Sequence, residues 1–126
     1  MAGVTLDSGA LIAFERRERR LLVHLKEAQS RGLDLTVPTV VVAEAWRGGP
    51  RSARISMLLS ACIVEPLLEG LARSAGEAMA AVRGSTPIDA IVMASAATRN
   101  DRVLTTDPED LQRLRKTFAT VRVESV

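Results

Sequence analysis

Short apolar runs alternate along this chain with longer stretches of helical spacing, and punctuation residues mark most of the joins. Gly3 to Asp7 reads as a short buried strand, and Ser8 to Phe14 begins a helix that hands over to a basic helical stretch through about Arg31, ended by Gly32. Leu33 to Val37 predicts a second strand and Pro38 a turn. Thr39 to Arg47 predicts an apolar helix stopped by Gly48-Gly49-Pro50, with another short helix from about Arg51. Ser60 to Glu65 is expected as a third strand and Leu67 to Arg83 as a helix ended by Gly84. Pro87 to Asn100 then forms a helix behind the cap Ser85-Thr86. Arg102 to Thr106, Pro108 to about Lys116 and Ala119 to Glu124 complete the chain as strand, helix and strand. Strands separated by helices need crossover connections, so the expected fold is α/β. It is a single domain over residues 1–126, with a mainly parallel sheet of four to five strands and helices on both faces.

Composition narrows the class. A chain of 126 residues with 47% hydrophobic and 25% charged residues has the balance of one compact domain. No apolar run reaches the length of a membrane span, and the opening Gly3-Val4-Thr5-Leu6-Asp7 has no basic leader, so a cytoplasmic protein is expected. The single cysteine, Cys62, rules out an internal disulfide and sits in an apolar run, where a buried, inert thiol is expected. Net charge is only +2, but the basic residues are nearly all arginine and are clustered. Arg16, Arg17, Arg19 and Arg20 crowd one stretch, and Arg47, Arg51 and Arg54 a second. Planar guanidinium forks suit phosphate, although solvated helix faces would read the same way.

The candidate chemistry is acidic. Asp7 ends the first strand, Asp107 ends the fourth, and Asp89 opens the helix leading into the fourth, so the three belong near the carboxyl edge of a parallel sheet, where ligands gather. Each also has a capping explanation: Asp7 before a helix, Asp89 in the box Thr86-Pro87-Ile88-Asp89, and Asp107 before Pro108. Glu44 lies in Val40-Val41-Val42-Ala43-Glu44-Ala45-Trp46, where a buried carboxylate requires either an arginine such as Arg47 or a metal ion. Two carboxylates about 4 Å apart repel by about 4 kcal/mol at an effective dielectric near 20, so a cluster needs protons or a cation. An oxygen-only set without histidine favours Mg²⁺ or Mn²⁺ over zinc.

Other designs fit poorly. GxxxxGK[ST], GxGxxG and GxSxG motifs are absent, tyrosine is absent, and His24 stands alone on a helix. Phe14, Trp46 and Phe118 offer little base stacking. A phosphotransfer receiver would also place aspartates at strand ends, but Lys26 and Lys116, the only lysines, fall in helical segments rather than after a strand.

Four segments carry a resemblance: Val4-Thr5-Leu6-Asp7-Ser8-Gly9-Ala10, Val42-Ala43-Glu44-Ala45-Trp46-Arg47, Pro87-Ile88-Asp89-Ala90-Ile91-Val92-Met93, and Val103-Leu104-Thr105-Thr106-Asp107-Pro108-Glu109-Asp110. In that order they resemble the acidic motifs of PIN-domain nucleases across nearly the full chain, most like the VapC toxins of bacterial VapBC modules. The resemblance implies that Asp7, Glu44, Asp89 and Asp107 are the catalytic, metal-binding carboxylates, with Asp110 competing for the fourth place. Ser8 and Thr105 or Thr106 fall where the family has supporting hydroxyls. It implies Mg²⁺- or Mn²⁺-dependent RNA cleavage by a water nucleophile, a homodimer, and inhibition by a small antitoxin protein. Arg16, Arg17, Arg20, Arg47 and Arg51 would then form a rim that binds RNA or the antitoxin. The alternative is a PIN-like module that binds RNA or protein without cutting it.

Overall fold

A computed structural model describes residues 2–126. Five parallel strands, β1 (Val4–Leu6), β2 (Leu35–Pro38), β3 (Ile63–Glu65), β4 (Arg102–Thr105) and β5 (Arg122–Ser125), lie in the order β3-β2-β1-β4-β5. The chain travels outward from β1 to β3 and then returns to the other side of β1. The helices α1 (Ser8–Glu15), α2 (Arg19–Ser30), α3 (Thr39–Ala45) and α4 (Ala53–Ser60) precede that return, and α5 (Glu69–Ala81), α6 (Pro87–Arg99) and α7 (Pro108–Arg113) follow β3. The helices α1, α2 and α4 pack together on one face and α5, α6 and α7 on the other, the arrangement right-handed crossovers require. The reversal of strand order falls between β1 and β4, and their carboxyl ends frame the crevice expected to hold a ligand.

Central strands are buried on both sides, which is why they read as apolar runs: Val4, Leu6, Val37, Val103 and Leu104 are inaccessible to solvent. The expected single helical stretch through Arg31 is instead two helices. Arg17 adopts a left-handed backbone (φ 56°) just past α1, its N–H donating to the Phe14 carbonyl (3.0 Å) and the Glu18 N–H to the Ala13 carbonyl (2.9 Å). This is the double-bonded helix stop that usually carries glycine, so no glycine announced it. The third strand is also shorter than expected. The helix α4 continues to Ser60, and Cys62 sits in the turn before β3.

Beneath α6 runs a polar network with no periodic signal in the sequence. Asp101, 1% exposed, accepts from the Gly3 N–H (2.7 Å), the Thr5 hydroxyl (2.8 Å) and Arg99 Nε (2.9 Å). Arg99 also donates to Glu65 Oε2 (2.7 Å), Thr5 Oγ1 (3.0 Å) and Ser95 Oγ (2.9 Å). The result ties α6 to β1, β3 and the start of β4, the elements that carry or precede the candidate acids.

Candidate functional site

Asp7 leaves the carboxyl end of β1 and is 9% exposed. Its capping role is real: Oδ1 accepts from the Ala10 N–H (3.0 Å) at the start of α1. The Thr105 side chain supplies a second hydrogen bond to Asp7, and Thr105 Oγ1 accepts from the Asp107 N–H (3.0 Å), joining the ends of β1 and β4. Burial nevertheless raises the Asp7 pKa from 3.8 to about 6; the Thr105 and Ala10 hydrogen bonds oppose that rise, while Asp89 and Glu44 add to it.

Asp89 stands in the first turn of α6. Thr86 caps that helix, accepting from the Asp89 N–H (3.2 Å), so the capping box is made from the threonine side and leaves the Asp89 carboxylate facing other acids. Its pKa is raised by partial burial first, lowered by Thr86, and raised again by Asp110, Glu44 and Asp107. Asp107 precedes α7 but makes no side-chain cap bond, so the capping explanation fails there. Asp110 joins the group as well, held by Arg113 Nη1 at 3.3 Å.

Glu44 departs from expectation. It is exposed rather than buried, because the seven-residue α3 buries Val41 and Ala45 and turns Ala43 and Glu44 outward. Arg47 does not pair with it; Arg47 Nη1 donates to the Trp46 carbonyl (2.9 Å). Among the described residues Asp7, Glu44, Asp89 and Asp107 take part in no ion pair. Nor do any three acidic, histidine or cysteine side chains among them form a ready-made cage for one ion. The carboxylates therefore make an open acidic cleft in which Asp7 and Asp89 feel the charge of their neighbours, not a closed coordination sphere.

The arginines divide. Arg16, Arg47 and Arg51 line a cleft of about 200 Å³ together with Glu44 and Ser52, as the clustering suggested. Arg17 lends its backbone to the helix stop and leaves its side chain exposed, and Arg20 donates to the Ser125 carbonyl (3.1 Å) at the end of β5. A second basic groove, about 470 Å³ and lined by Arg83, Arg113 and Lys116, escaped sequence reasoning. Its residues sit at or just beyond the carboxyl ends of α5 and α7, where cations complement the helix dipole and read as ordinary. Arg113 links this groove to the acids through Asp110. Neither His24 nor Cys62 joins the cleft: His24 faces Glu124 of β5 at 3.4 Å, and burial pushes the Cys62 thiol up to about 11, away from reactivity.

No helix among the described residues is long and apolar enough to cross a membrane. A sequence comparison with curated proteins gives no significant match. Similar solved structures include VapBC2 from Rickettsia felis bound to a promoter DNA fragment, at 12% identity over 98% of both chains with a TM-score of 0.78. VapBC from Salmonella typhimurium, also bound to DNA, is 15% identical over 99% of this chain and 98% of that one, with a TM-score of 0.74. FitAcB from Neisseria gonorrhoeae is 17% identical over 95% of each chain, with a TM-score of 0.66. These likenesses are of fold. The PIN domain profile matches residues 4–117 and takes in all four acidic segments, and with the parallel sheet and its acid-lined switch point it establishes that the chain belongs to the PIN-domain family.

Proposed function

We propose that this chain is a Mg²⁺- or Mn²⁺-dependent endoribonuclease and the toxin of a bacterial toxin–antitoxin pair. The observation that carries the reading is Asp7, a carboxylate whose burial first, and whose acidic neighbours Asp89 and Glu44 second, oppose its ionisation, and none of the three is in an ion pair among the described residues. Asp7 and Asp89 are the residues that would hold a divalent ion, with Glu44 and Asp107 completing the site. Mg²⁺ keeps several waters and needs only one or two carboxylates directly, which suits an open cleft better than a closed cage. When bound, the ion supplies Lewis acidity and charge neutralisation at a phosphodiester. Thr105 and the Ala10 N–H fix the Asp7 carboxylate. Arg16, Arg47 and Arg51 on one rim and Arg83, Arg113 and Lys116 on the other hold the RNA backbone against repulsion by the acids.

The antitoxin has an apolar berth in the same reading. A groove of about 730 Å³ between α2 and α4, lined by Phe14, Leu22, Leu25, Met57 and Leu58, suits the apolar face of a partner helix. The similar VapBC structures support a protein partner, and the groove's apolar lining is what assigns it here. A twin subunit is assigned to the exposed apolar strip Ile63, Val64, Leu67 and Leu68 at the β3 edge. An RNA substrate places the proposed activity in the cytoplasm.

Purified wild type, Asp7→Asn and Asp89→Asn, incubated with RNA in Mn²⁺ or in EDTA, test the proposal. Cleavage is expected from the wild type in Mn²⁺ alone, with circular dichroism unchanged in the variants. Equal cleavage by all three proteins refutes the site. RNA binding with neither cleavage nor carboxylate-dependent Mn²⁺ uptake would identify a binding module instead.

A further inference from the structure

At the opposite end of the sheet from the acids, where β1, β4 and β5 begin, lies a cavity of about 340 Å³. Its walls carry Arg31, Arg102 and Arg122, with Glu124 as the only acid, so three guanidiniums face one carboxylate and leave a formal surplus of two positive charges. Arg102 is the built part of this site. Its side chain is 14% exposed and Nη1 donates to Glu124 Oε1 (3.1 Å), but Nη2 is buried with no acceptor. Nη2 is closed to solvent, so Arg102 is held rigidly and lends the cavity its charge rather than a free donor. The other two arginines are scarcely committed. Arg31 makes one loose, exposed pair with Glu27 (3.6 Å), and Arg122, exposed at the start of β5, joins none of the ion pairs among the described residues. Glu124 is already engaged by Arg102 and faces His24, so it does not neutralise the remaining two.

We propose that this amino-edge cavity binds a phosphate group as its dianion, with Arg31 and Arg122 donating to its oxygens and the fixed charge of Arg102 behind them. Guanidinium forks match phosphate oxygens, and the surplus of positive charge matches the charge of about −1.5 to −2 that a phosphate monoester carries near neutral pH. The volume falls in the range of small-ligand pockets, about 300–1,000 Å³, and exceeds what a bare phosphate fills. Two sources share this chemistry: free inorganic phosphate, and the phosphate of a mononucleotide whose remainder occupies the extra space. The site is separate from the acidic cleft and does not rest on nuclease activity.

Calorimetric titration of the full chain with inorganic phosphate and with AMP, in EDTA and at matched ionic strength, tests the assignment. Saturable one-to-one binding is expected, at least tenfold weaker in Arg102→Met and in Arg122→Gln and unchanged in Asp7→Asn. The exposed Arg122 keeps the test informative if Arg102→Met, which also frees Glu124, folds poorly. Tighter binding of AMP assigns the nucleotide source, and equal affinities assign free phosphate. A non-saturating response equal to that of chloride, undiminished affinity in the arginine variants, or loss of binding in Asp7→Asn would each overturn the proposal.

Discussion

Removing the charge of Asp7 should make the metal-free protein more stable while abolishing the proposed activity. Burial holds the Asp7 pKa at about 6 against 3.8 for an unperturbed aspartate. At about 1.4 kcal/mol per tenfold change in proton affinity, ionising this group in the folded state costs about 3 kcal/mol. The raised value sets the sign. Below about pH 4 the group is protonated in both states and carries no penalty. Between pH 4 and 6 the folded chain keeps a proton that the unfolded chain has lost, and above pH 6 the full cost applies. Stability contributed by this group is therefore present in acid and lost as pH rises through about 6. Asparagine preserves the shape and remains a good helix cap, so Asp7→Asn should gain up to about 3 kcal/mol at pH 7 and little at pH 4. Urea denaturation in EDTA across that interval, for both proteins, measures the difference as a shift in midpoint at constant slope. Added Mn²⁺ should raise the wild-type midpoint and leave the variant's unmoved. A wild-type curve with no pH dependence from this group, or a variant less stable than wild type at pH 7, would refute the electrostatic account of the cleft.

Two further predictions concern the frame. Arg99→Met strips a cation from Asp101 and Glu65 and should cost about 3–5 kcal/mol, because the 1%-exposed Asp101 loses its ion-pair partner and retains two hydrogen bonds; a loss under about 1 kcal/mol in urea denaturation would show the network to be dispensable. Arg17→Gly, at a left-handed position with no glycine, should stabilise by up to about 1 kcal/mol, read as a higher Tm. A lower Tm there would mean that the Arg17 side chain makes a contribution larger than its backbone strain.

The parallel sheet was legible because its central strands are buried on both faces and so stand out as apolar runs, and Asp7 and Asp107 were legible because they end such runs. Orientation was not. Glu44 sits among valines and alanines, but a helix of seven residues has one buried stripe, and composition does not say which residues lie off it. The arginines clustered in sequence point in different directions once the chain turns at Arg17, so Arg20 departs to β5 while Arg16 meets Arg47 and Arg51. Contacts such as Gly3 with Asp101 join residues nearly a full chain apart and leave no local pattern to read.

From Ala90 through Ala96 every position of α6 is buried, Ile91 being the most open at 7%. A rod enclosed on every side offers no face on which sequence drift is neutral, and a bulkier residue at any of its alanines must displace α5 or the sheet. Since Asp89 rides on the leading turn of that rod, crowding well inside the protein is transmitted forward as a change in the carboxylate's aim. Substitutions that damage the cleft should therefore be found along the whole length of α6, at residues that never approach a substrate.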